Sequence, residues 1–176
     1  ENTAGIMITN PDTCGVFENN IIEICERVHK KGGLVYMDGA NMNALVGKVK
    51  PGAMGVDVLN FNTHKTFSTP HGGGGPGAGP VSVAKKLEPY LPKPVLEKNG
   101  DLVQWKFDIP KSIGQIRSFF GNIGVLVRAY TYIKTLGSLG LRDMTETAVL
   151  NANYMKQRLK EHFNIPFVDV TCMHEV

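Results

Sequence analysis

The sequence predicts an α/β fold built on a mostly parallel sheet. Short apolar runs at 5–9, 34–37 and 57–61 have the length and composition of buried strands. Between the first two, residues 17–31 place apolar side chains at three-to-four spacing, as on one face of a helix. A strand, a helix and two further strands in this order are typical of a parallel sheet with right-handed crossovers.

Each of these elements has a recognisable end. The first strand stops at Asn10 and Pro11, which favour a turn. The helix carries acidic residues early and basic residues late, as its dipole favours, and the glycine pair at 32–33 ends it. The second strand ends on Asp38 and the third near Lys65. Because ligands bind beyond the carboxyl ends of the strands in open α/β sheets, we expect Asn10, Asp38 and Lys65 to meet at one edge.

The remaining sequence predicts further strands and helices. Residues 81–84 predict a strand that leads into a helical piece ending before Pro92. Residues 96–107, with Asn99 and Gly100 at their middle, predict a β-hairpin with a tight turn. Residues 121–162 predict two long helices with a break near the glycines at 137–140.

The composition describes a globular chain and excludes several classes of function. With 176 residues, 42% of them hydrophobic, the chain can bury one sizeable core. The net charge of +3 comes from scattered basic residues, so we expect neither nucleic-acid binding nor a membrane patch, and no apolar run is long enough to span a membrane. Cys14, Cys25 and Cys172 lack the spacing of a zinc site or a disulfide framework, so we expect no metal site and a cytoplasmic protein.

Lys65 is the strongest candidate for a catalytic residue. It follows an apolar run, has His64 immediately before it and precedes a glycine-rich stretch. Placed at the end of a buried strand, a lysine amine loses part of its hydration, which leaves a fraction of it unprotonated and nucleophilic near neutral pH. This is the state that an imine with a carbonyl cofactor requires.

Asp38 is the natural partner of Lys65, since their spacing fits one crossover between neighbouring strand ends. A carboxylate there can hold the protonated ring nitrogen of a pyridinium, which makes the ring an electron sink. If the chain stays extended, the small side chain of Ala40 points the same way and lets a flat ring lie close. On its own, an aspartate in this position is more often a helix cap or a turn former.

The neighbours of Lys65 have two interpretations each. His64 could stack or hydrogen-bond near the imine, or could be a buried histidine with ordinary partners. Thr63 and Thr66 could offer hydroxyls to a phosphate, or could simply suit the end of a strand because they are β-branched.

The stretch from His71 to Pro80 contains six glycines and predicts a loop over the mouth of the site. Its first residues, the proposed substrate loop, are His71, Gly72, Gly73, Gly74 and Gly75. It is not a phosphate-binding Walker A loop, because the required lysine and Ser or Thr do not follow the glycines. A flexible linker is the alternative, although linkers seldom join two strands of one sheet.

Two segments carry a specific resemblance. The stretches YMDGANMNALVG (36–47) and NTHKTFSTPHGGGGPGAGP (62–80) closely resemble the glycine dehydrogenase (decarboxylating) family, the P protein of the glycine cleavage system. The resemblance extends less distinctively to the turn at 10–15 and to residues 118–124.

The resemblance implies a three-layer α/β domain of the aspartate-aminotransferase type, known as fold type I, that binds pyridoxal 5'-phosphate. Residues 1–136 would belong to this large domain, and 137–176 would form an interdomain helix and the start of a smaller carboxy-terminal domain. Lys65 would form the imine with the cofactor and Asp38 would pair with its ring nitrogen. Asn10 and Thr13 match a turn near the phenolic oxygen of the cofactor, and Thr63 matches a hydroxyl on the phosphate side.

The resemblance also implies a reaction and its partners. The family decarboxylates glycine and passes the aminomethyl group to the lipoyl arm of the H protein. The chain resembles the carboxy-terminal half, or the second subunit of a split enzyme. Residues that stack on the ring and cradle the phosphate would then precede this segment, and a companion subunit or the amino-terminal half would complete the site. We expect the segment alone to be inactive.

Two other functions remain open from the sequence. Glycine hydroxymethyltransferase also acts on glycine and has a similar His-Lys-Thr run, but it typically has histidine where Asn41 follows Ala40 and an arginine where the glycine run stands here. The second alternative is a folded fragment or scaffold subunit with a vestigial site.

Overall fold

A computed structural model describes residues 3–117 and 120–176. Residues 118 and 119, which begin the 118–124 stretch of the resemblance, lie outside the described residues. The strands are β1 (Gly5–Thr9), β2 (Leu34–Gly39), β3 (Val58–Phe61), β4 (Val81–Val83), β5 (Val95–Asn99) and β6 (Leu102–Lys106). The α-helices are α1 (Ile21–Lys30), α2 (Thr63–Thr66) and α3 (Ile123–Leu159), and 3₁₀ turns occupy Met42–Ala44, Pro51–Met54, Gly72–Gly74 and Lys85–Tyr90.

The first four strands form one sheet in the order β1-β2-β3-β4. Strand β2 is parallel to both β1 and β3, which confirms the predicted parallel sheet. The register pairs Thr9 with Asp38 and Asp38 with Asn60. The carboxyl ends of the first three strands therefore lie at the same edge.

The hydrophobic core lies against one face of this sheet. Successive side chains of a strand point to opposite faces, and in β2 Val35 and Met37 are buried while Leu34 is exposed. Helix α1 packs Ile21 and Cys25 into the same core. On the opposite face Met7 of β1 is 72% exposed, whereas Tyr36 and Asp38 of β2 are half-buried.

A buried carboxylate joins β3 to β2 and α1. Asp57 accepts hydrogen bonds from the backbone N–H of Val35 at 2.9 Å and pairs with His29 Nε2 at 2.7 Å. These partners compensate for the loss of water around the carboxylate. They fix the start of β3, and through it the position of the segment that carries Lys65.

Residues 83–117 and 120–121 form a separate compact unit. Strands β5 and β6 pair antiparallel, with Asn99 opposite Leu102. Gly100 has a φ of 60°, the left-handed conformation that a tight hairpin turn requires. The predicted β-hairpin is confirmed.

Residues 3–82 and 122–176 belong to the other unit, which includes the long helix α3. Helix α3 is interrupted at Gly137, whose φ of 63° and ψ of −171° are not helical, so the two predicted helices are present with their break. The domain boundary expected after residue 136 coincides with this break and stays a prediction. Within the described ranges, none of the helices combines the length and the apolar character needed to cross a membrane.

Candidate active site

The site is built at the carboxyl edge of the sheet. Asn10 directly follows β1, Asp38 is the fifth residue of β2, and Lys65 lies in α2, which begins two residues after β3. Because β1, β2 and β3 are parallel and paired in register, these three segments leave the sheet at the same edge. The predicted convergence of the strand ends is therefore present.

The structure places Lys65 in surroundings that differ from those that the sequence predicts. The sequence predicted an amine at the end of a buried strand, but the chain turns into the one-turn helix α2 and the Lys65 side chain is exposed. Residues three apart share a helix face, and Thr63 and Thr66 occupy the buried one. Lys65 consequently faces solvent at the edge of the sheet, where a ligand could reach its amine.

Asp38 is half-buried and forms a turn. Its Oδ1 accepts a hydrogen bond from the backbone N–H of Ala40 at 2.9 Å, which is the turn-forming role that the sequence left open. The sequence predicts the same direction for Ala40 as for Asp38 only if the chain stays extended, and this condition is not met, because β2 ends at Gly39 and the chain turns there. Asn60, which sequence reasoning missed, lies beside Asp38 and its Oδ1 accepts from the Tyr36 hydroxyl at 2.9 Å.

Asn10 is 1% exposed, and its amide is engaged by backbone. Asn10 Oδ1 accepts from the Glu18 N–H at 2.9 Å, and its Nδ2 donates to the Glu18 carbonyl at 3.3 Å. Thr13 is exposed and lines a cavity of 180 Å³ with Lys156 and Cys172. Contacts of Asn10 and Thr13 with a cofactor stay predictions, and the structure gives Asn10 a role in closing the 10–18 loop.

His64 forms a pair with His71. Their ring centroids are 4.5 Å apart, and burial together with the neighbouring charges of His71 and Lys65 lowers the pKa of His64. Among the described residues, Nδ1 of His64 is buried without a hydrogen-bond partner. An unsatisfied buried nitrogen of this kind is unusual and points to a missing polar partner.

The glycine loop is tied down beside α2. Thr63 Oγ1 donates to the Ala78 carbonyl at 2.9 Å, and Asn122 Nδ2 donates to the carbonyls of Gly75 and Gly77 at 3.2 and 2.8 Å. The loop therefore follows the lysine turn closely, as expected of a loop at the mouth of the site. A freely moving linker would lack these anchors.

The threonine hydroxyls donate within the protein. Thr63 donates to Ala78, and Thr66 donates to Asn43 Oδ1 in the 3₁₀ turn that follows β2. Their oxygens can still accept, but these protons are already directed at protein oxygens. A phosphate contact through Thr63 stays a prediction.

The structure adds His174, which sequence reasoning did not select. Its side chain is 7% exposed, and the charge of Lys65 acts on it although the two residues are far apart in sequence. Burial is the largest cause of its lowered pKa, Glu175 opposes the shift, and Lys65 adds to it. No motif spacing connects His174 to Lys65, so only the fold could reveal it.

These residues fit pyridoxal 5'-phosphate in part. The exposed Lys65 amine is available for an imine, and the Asp38 carboxylate lies on the neighbouring strand end. Buried polar atoms without partners, His64 Nδ1 and Thr69 Oγ1, lie in the α2 segment and just after it. The part of the chain that the structure describes holds no group of three or more His, Cys, Asp or Glu side chains placed to bind a metal ion.

Comparison with solved structures supports the fold. Glycine decarboxylase (P-protein) of the glycine cleavage system, in inhibitor-bound form, superposes with a TM-score of 0.72 at 23% identity and covers 90% of this chain and 38% of that protein. Glutamate decarboxylase of Lactobacillus brevis gives a TM-score of 0.63 at 15% identity, over 98% of this chain and 38% of that protein. The fold is thus that of the fold type I pyridoxal-phosphate enzymes, as predicted.

Comparison with curated proteins gives much higher identity. The probable glycine dehydrogenase (decarboxylating) subunit 2 proteins of Staphylococcus aureus strains bovine RF122 / ET3-1 and N315 are both 58% identical over 175 residues, which is 99% of this chain. The chain spans 36% of the length of these relatives. No protein-family model matches it. Across nearly its full length, the chain therefore matches a part of the glycine dehydrogenase (decarboxylating) subunit 2 proteins at 58% identity.

Proposed function

We propose that the protein containing this chain decarboxylates glycine with pyridoxal 5'-phosphate and passes the aminomethyl group to the lipoyl arm of the H protein. One observation carries the proposal: Asp38 and the Lys65 turn leave adjacent parallel strands at one edge of the sheet. This is the arrangement that a pyridine ring attached to a lysine needs. The 58% identity to the probable glycine dehydrogenase (decarboxylating) subunit 2 proteins suggests the reaction.

Lys65 and Asp38 would hold the cofactor. The Lys65 amine would hold the cofactor covalently through its aldehyde carbon, with loss of water, and the Asp38 carboxylate would keep the ring nitrogen protonated through charge attraction. The cofactor, when bound, supplies the electron sink that accepts the electrons of the broken carbon–carboxylate bond. The turn hydrogen bond from Ala40 fixes Asp38 Oδ1, which reduces the freedom of that carboxylate.

The remaining residues position the ligand and leave the site accessible. The ring of His64, the residue before Lys65, packs against the ring of His71 with the centroids 4.5 Å apart. His64 Nδ1 can bind an incoming polar group without breaking a bond to a described residue. Four consecutive residues of the anchored glycine loop, 72–75, have no side chain, so this part of the loop leaves room for a long arm to reach the amine.

We also propose that a companion segment or subunit completes the site, since the chain spans 36% of its curated relatives. The ring-stacking and phosphate-binding groups would come from there. The three cysteines are free, in keeping with a reducing, cytoplasmic location.

The test uses the whole protein with its companion subunit. Wild-type protein mixed with pyridoxal 5'-phosphate should develop an imine absorbance band, and borohydride reduction followed by peptide mapping should place the cofactor on Lys65. Lys65→Ala should abolish the band, whereas Lys50→Ala, at an exposed lysine elsewhere in the chain, should retain it. A band that survives in Lys65→Ala would contradict the proposal.

The reaction itself is tested with carboxyl-labelled glycine. Labelled carbon dioxide should be released only with lipoylated H protein and without folate. Folate-dependent consumption of glycine that keeps the carboxyl label in the amino-acid product would instead indicate glycine hydroxymethyltransferase, which the comparisons do not favour. A complete protein that forms no imine would indicate a scaffold.

A further inference from the structure

The compact unit 83–117 and 120–121 contains no buried residue among those that the structure describes. Its only sheet, within those residues, is the two-stranded hairpin of β5 and β6. Hydrogen bonds tie the flanking segments together, since the Lys93 N–H donates to the Gly114 carbonyl at 3.1 Å. A hairpin is at best marginally stable in water unless a third strand or another surface packs on it. The described part of this unit therefore lacks a core of its own, and a covering surface would stabilise it.

One face of the hairpin is apolar and exposed. Leu96 lies opposite Trp105, and Lys98 lies opposite Val103. Opposite residues of antiparallel strands point to the same face, and so do residues two apart in one strand, so these four share a face. Leu96 and Val103 are each 63% exposed, and Trp105 is 46% exposed. The ring of Phe120 stacks on Trp105 with the centroids 4.2 Å apart and is 49% exposed. We call Leu96, Val103, Trp105 and Phe120 the apolar face of the hairpin.

The opposite face of the hairpin is more polar. Glu97 lies opposite Gln104 there, and its Oε1 accepts a hydrogen bond from Lys106 Nζ at 2.6 Å. Leu102, beside the turn, is 73% exposed on this face. Protein surfaces that group several large apolar side chains are typical of interaction sites, and aromatic residues are enriched in such interfaces. The apolar face therefore has the character of an interface, whereas the polar face is suited to water.

The charge of this unit indicates what kind of surface would cover the apolar face. Residues 83–121 contain seven lysines and arginines and four aspartates and glutamates, so their net charge of +3 equals that of the whole chain. Lys98 projects from the apolar face itself. A second copy of this chain, related by two-fold symmetry, would bring these like charges together. A different surface with carboxylates around an apolar centre would be attracted instead.

We propose that the apolar face of the hairpin binds the companion subunit, through an apolar surface of that subunit bordered by carboxylates. The inference rests on the proposed function, which calls for a companion, and it assigns the surface of this chain that the companion covers. Burial of Trp105 and its apolar neighbours supplies the affinity, because buried aromatic side chains dominate the energy of most interfaces. Lys98 and the excess of positive charge orient the partner as it approaches.

The test compares Val103→Glu with Leu102→Glu in the whole protein. Both variants replace an exposed apolar side chain of β6 with a carboxylate, but the two side chains point to opposite faces of the hairpin. Val103→Glu should raise the Kd for the companion subunit by about 10- to 100-fold, because it places a charge in an apolar contact and repels the surrounding carboxylates. Leu102→Glu, the matched control, should change that Kd by no more than about twofold. Analytical ultracentrifugation of the purified subunits measures both values.

Two measurements on the wild-type and variant proteins support this comparison. The melting temperature of each variant alone should match that of the wild type, since neither side chain is buried. Hydrogen exchange at the amides of β6 should be slower in the complex than in the purified subunit, because the companion covers the hairpin. Added salt should weaken the association, since it screens the attraction between lysines and carboxylates.

Four outcomes would overturn the inference. Wild-type affinity in Val103→Glu would show that the companion does not touch the apolar face, and equal losses in both variants would show that the hairpin has only a structural role. Amides of β6 that exchange equally slowly with and without the companion would assign the face to another segment of the same polypeptide. A self-dimer that Val103→Glu dissociates would assign it to a second copy.

The inference and the proposed function can fail separately. If any of these four outcomes is found while the wild-type complex still forms the imine at Lys65, only the inference is wrong. If the wild-type complex forms no imine but Val103→Glu still weakens its assembly, the proposed function is wrong and the docking surface stands.

Discussion

Asn10→Ala distinguishes a structural role from a cofactor-binding one. In the structure, Asn10 joins its side-chain amide to both backbone groups of Glu18, at 2.9 Å and 3.3 Å. Each such bond contributes about 1 kcal/mol, and leaving a buried partner unpaired costs ~1–3 kcal/mol. Because the 3.3 Å bond is the weaker one, we expect Asn10→Ala to destabilise the closed form of the 10–18 loop, relative to its open form, by about 2–3 kcal/mol.

Amide hydrogen exchange measures this loss directly. The Glu18 N–H is protected by its bond to Asn10, so its exchange rate should rise by roughly 30- to 140-fold, since each 1.4 kcal/mol corresponds to a factor of ten. Asn20→Ala is the matched control, because Asn20 is exposed at the start of α1 and its side chain makes no capping hydrogen bond. It should leave the exchange of the loop unchanged.

If the Glu18 N–H exchanges at the wild-type rate in Asn10→Ala, Asn10 does not hold the 10–18 loop closed. Should the affinity for pyridoxal 5'-phosphate fall at the same time, Asn10 would be a cofactor contact, as the family resemblance implies. Faster exchange with unchanged cofactor affinity would instead confine Asn10 to closing the loop.

Three further perturbations test other parts of the structure. Gly15→Ala places a methyl group 2.1 Å from the backbone of the carboxy-terminal segment 172–176, which should displace that segment and make limited proteolysis cut it faster. Gly32→Ala is the control, because Gly32 also has a positive φ but an added methyl group there has nothing within 4 Å. Thr145→Val removes a buried hydroxyl that donates to a carbonyl at 2.8 Å, and it should lower the free energy of unfolding by ~1–3 kcal/mol. Thr131→Val is the control: this threonine is exposed and bonded within its own helix, so its replacement should lower the free energy of unfolding by less. Hydrogen bonds from a lysine and an arginine lower the pKa of Glu146 from 4.5 to about 2, so NMR should show its carboxyl titrating near pH 2. The contribution of Glu146 to the free energy of unfolding should be complete above pH 4.5 and should be lost as the pH falls towards 2.

The sheet could be predicted from local patterns because each strand is short, apolar and closed by a turn residue. Strand β1 spans the predicted residues 5–9, and β3 differs from its prediction by one residue. Helix α1 begins at Ile21 and not near residue 17, because Glu18 is held in the preceding loop by Asn10. Periodicity alone cannot report such a bond between a loop residue and a strand end.

The site was predictable where chain order alone brings residues together. Asp38 lies at the end of β2, and Lys65 follows the adjacent parallel strand β3. The sequence predicts this neighbouring position, because the two residues are separated by the length of one crossover. The exposure of Lys65 was not predictable, since it depends on α2 starting at Thr63 and turning the threonines inward. The buried position of His174 depends on the packing of the carboxy-terminal segment against the loop after β1, a contact between residues distant in sequence.

Alternate residues of strand β2 point to opposite faces of the sheet: Val35 and Met37 pack in the core, while Asp38 lies on the other face. Insertion or deletion of one residue within this strand would exchange the faces and drive a carboxylate into hydrocarbon. The spacing between Gly33 and Asp38 is therefore intolerant of length changes, and a variant library should accept side-chain replacements here far more readily than indels.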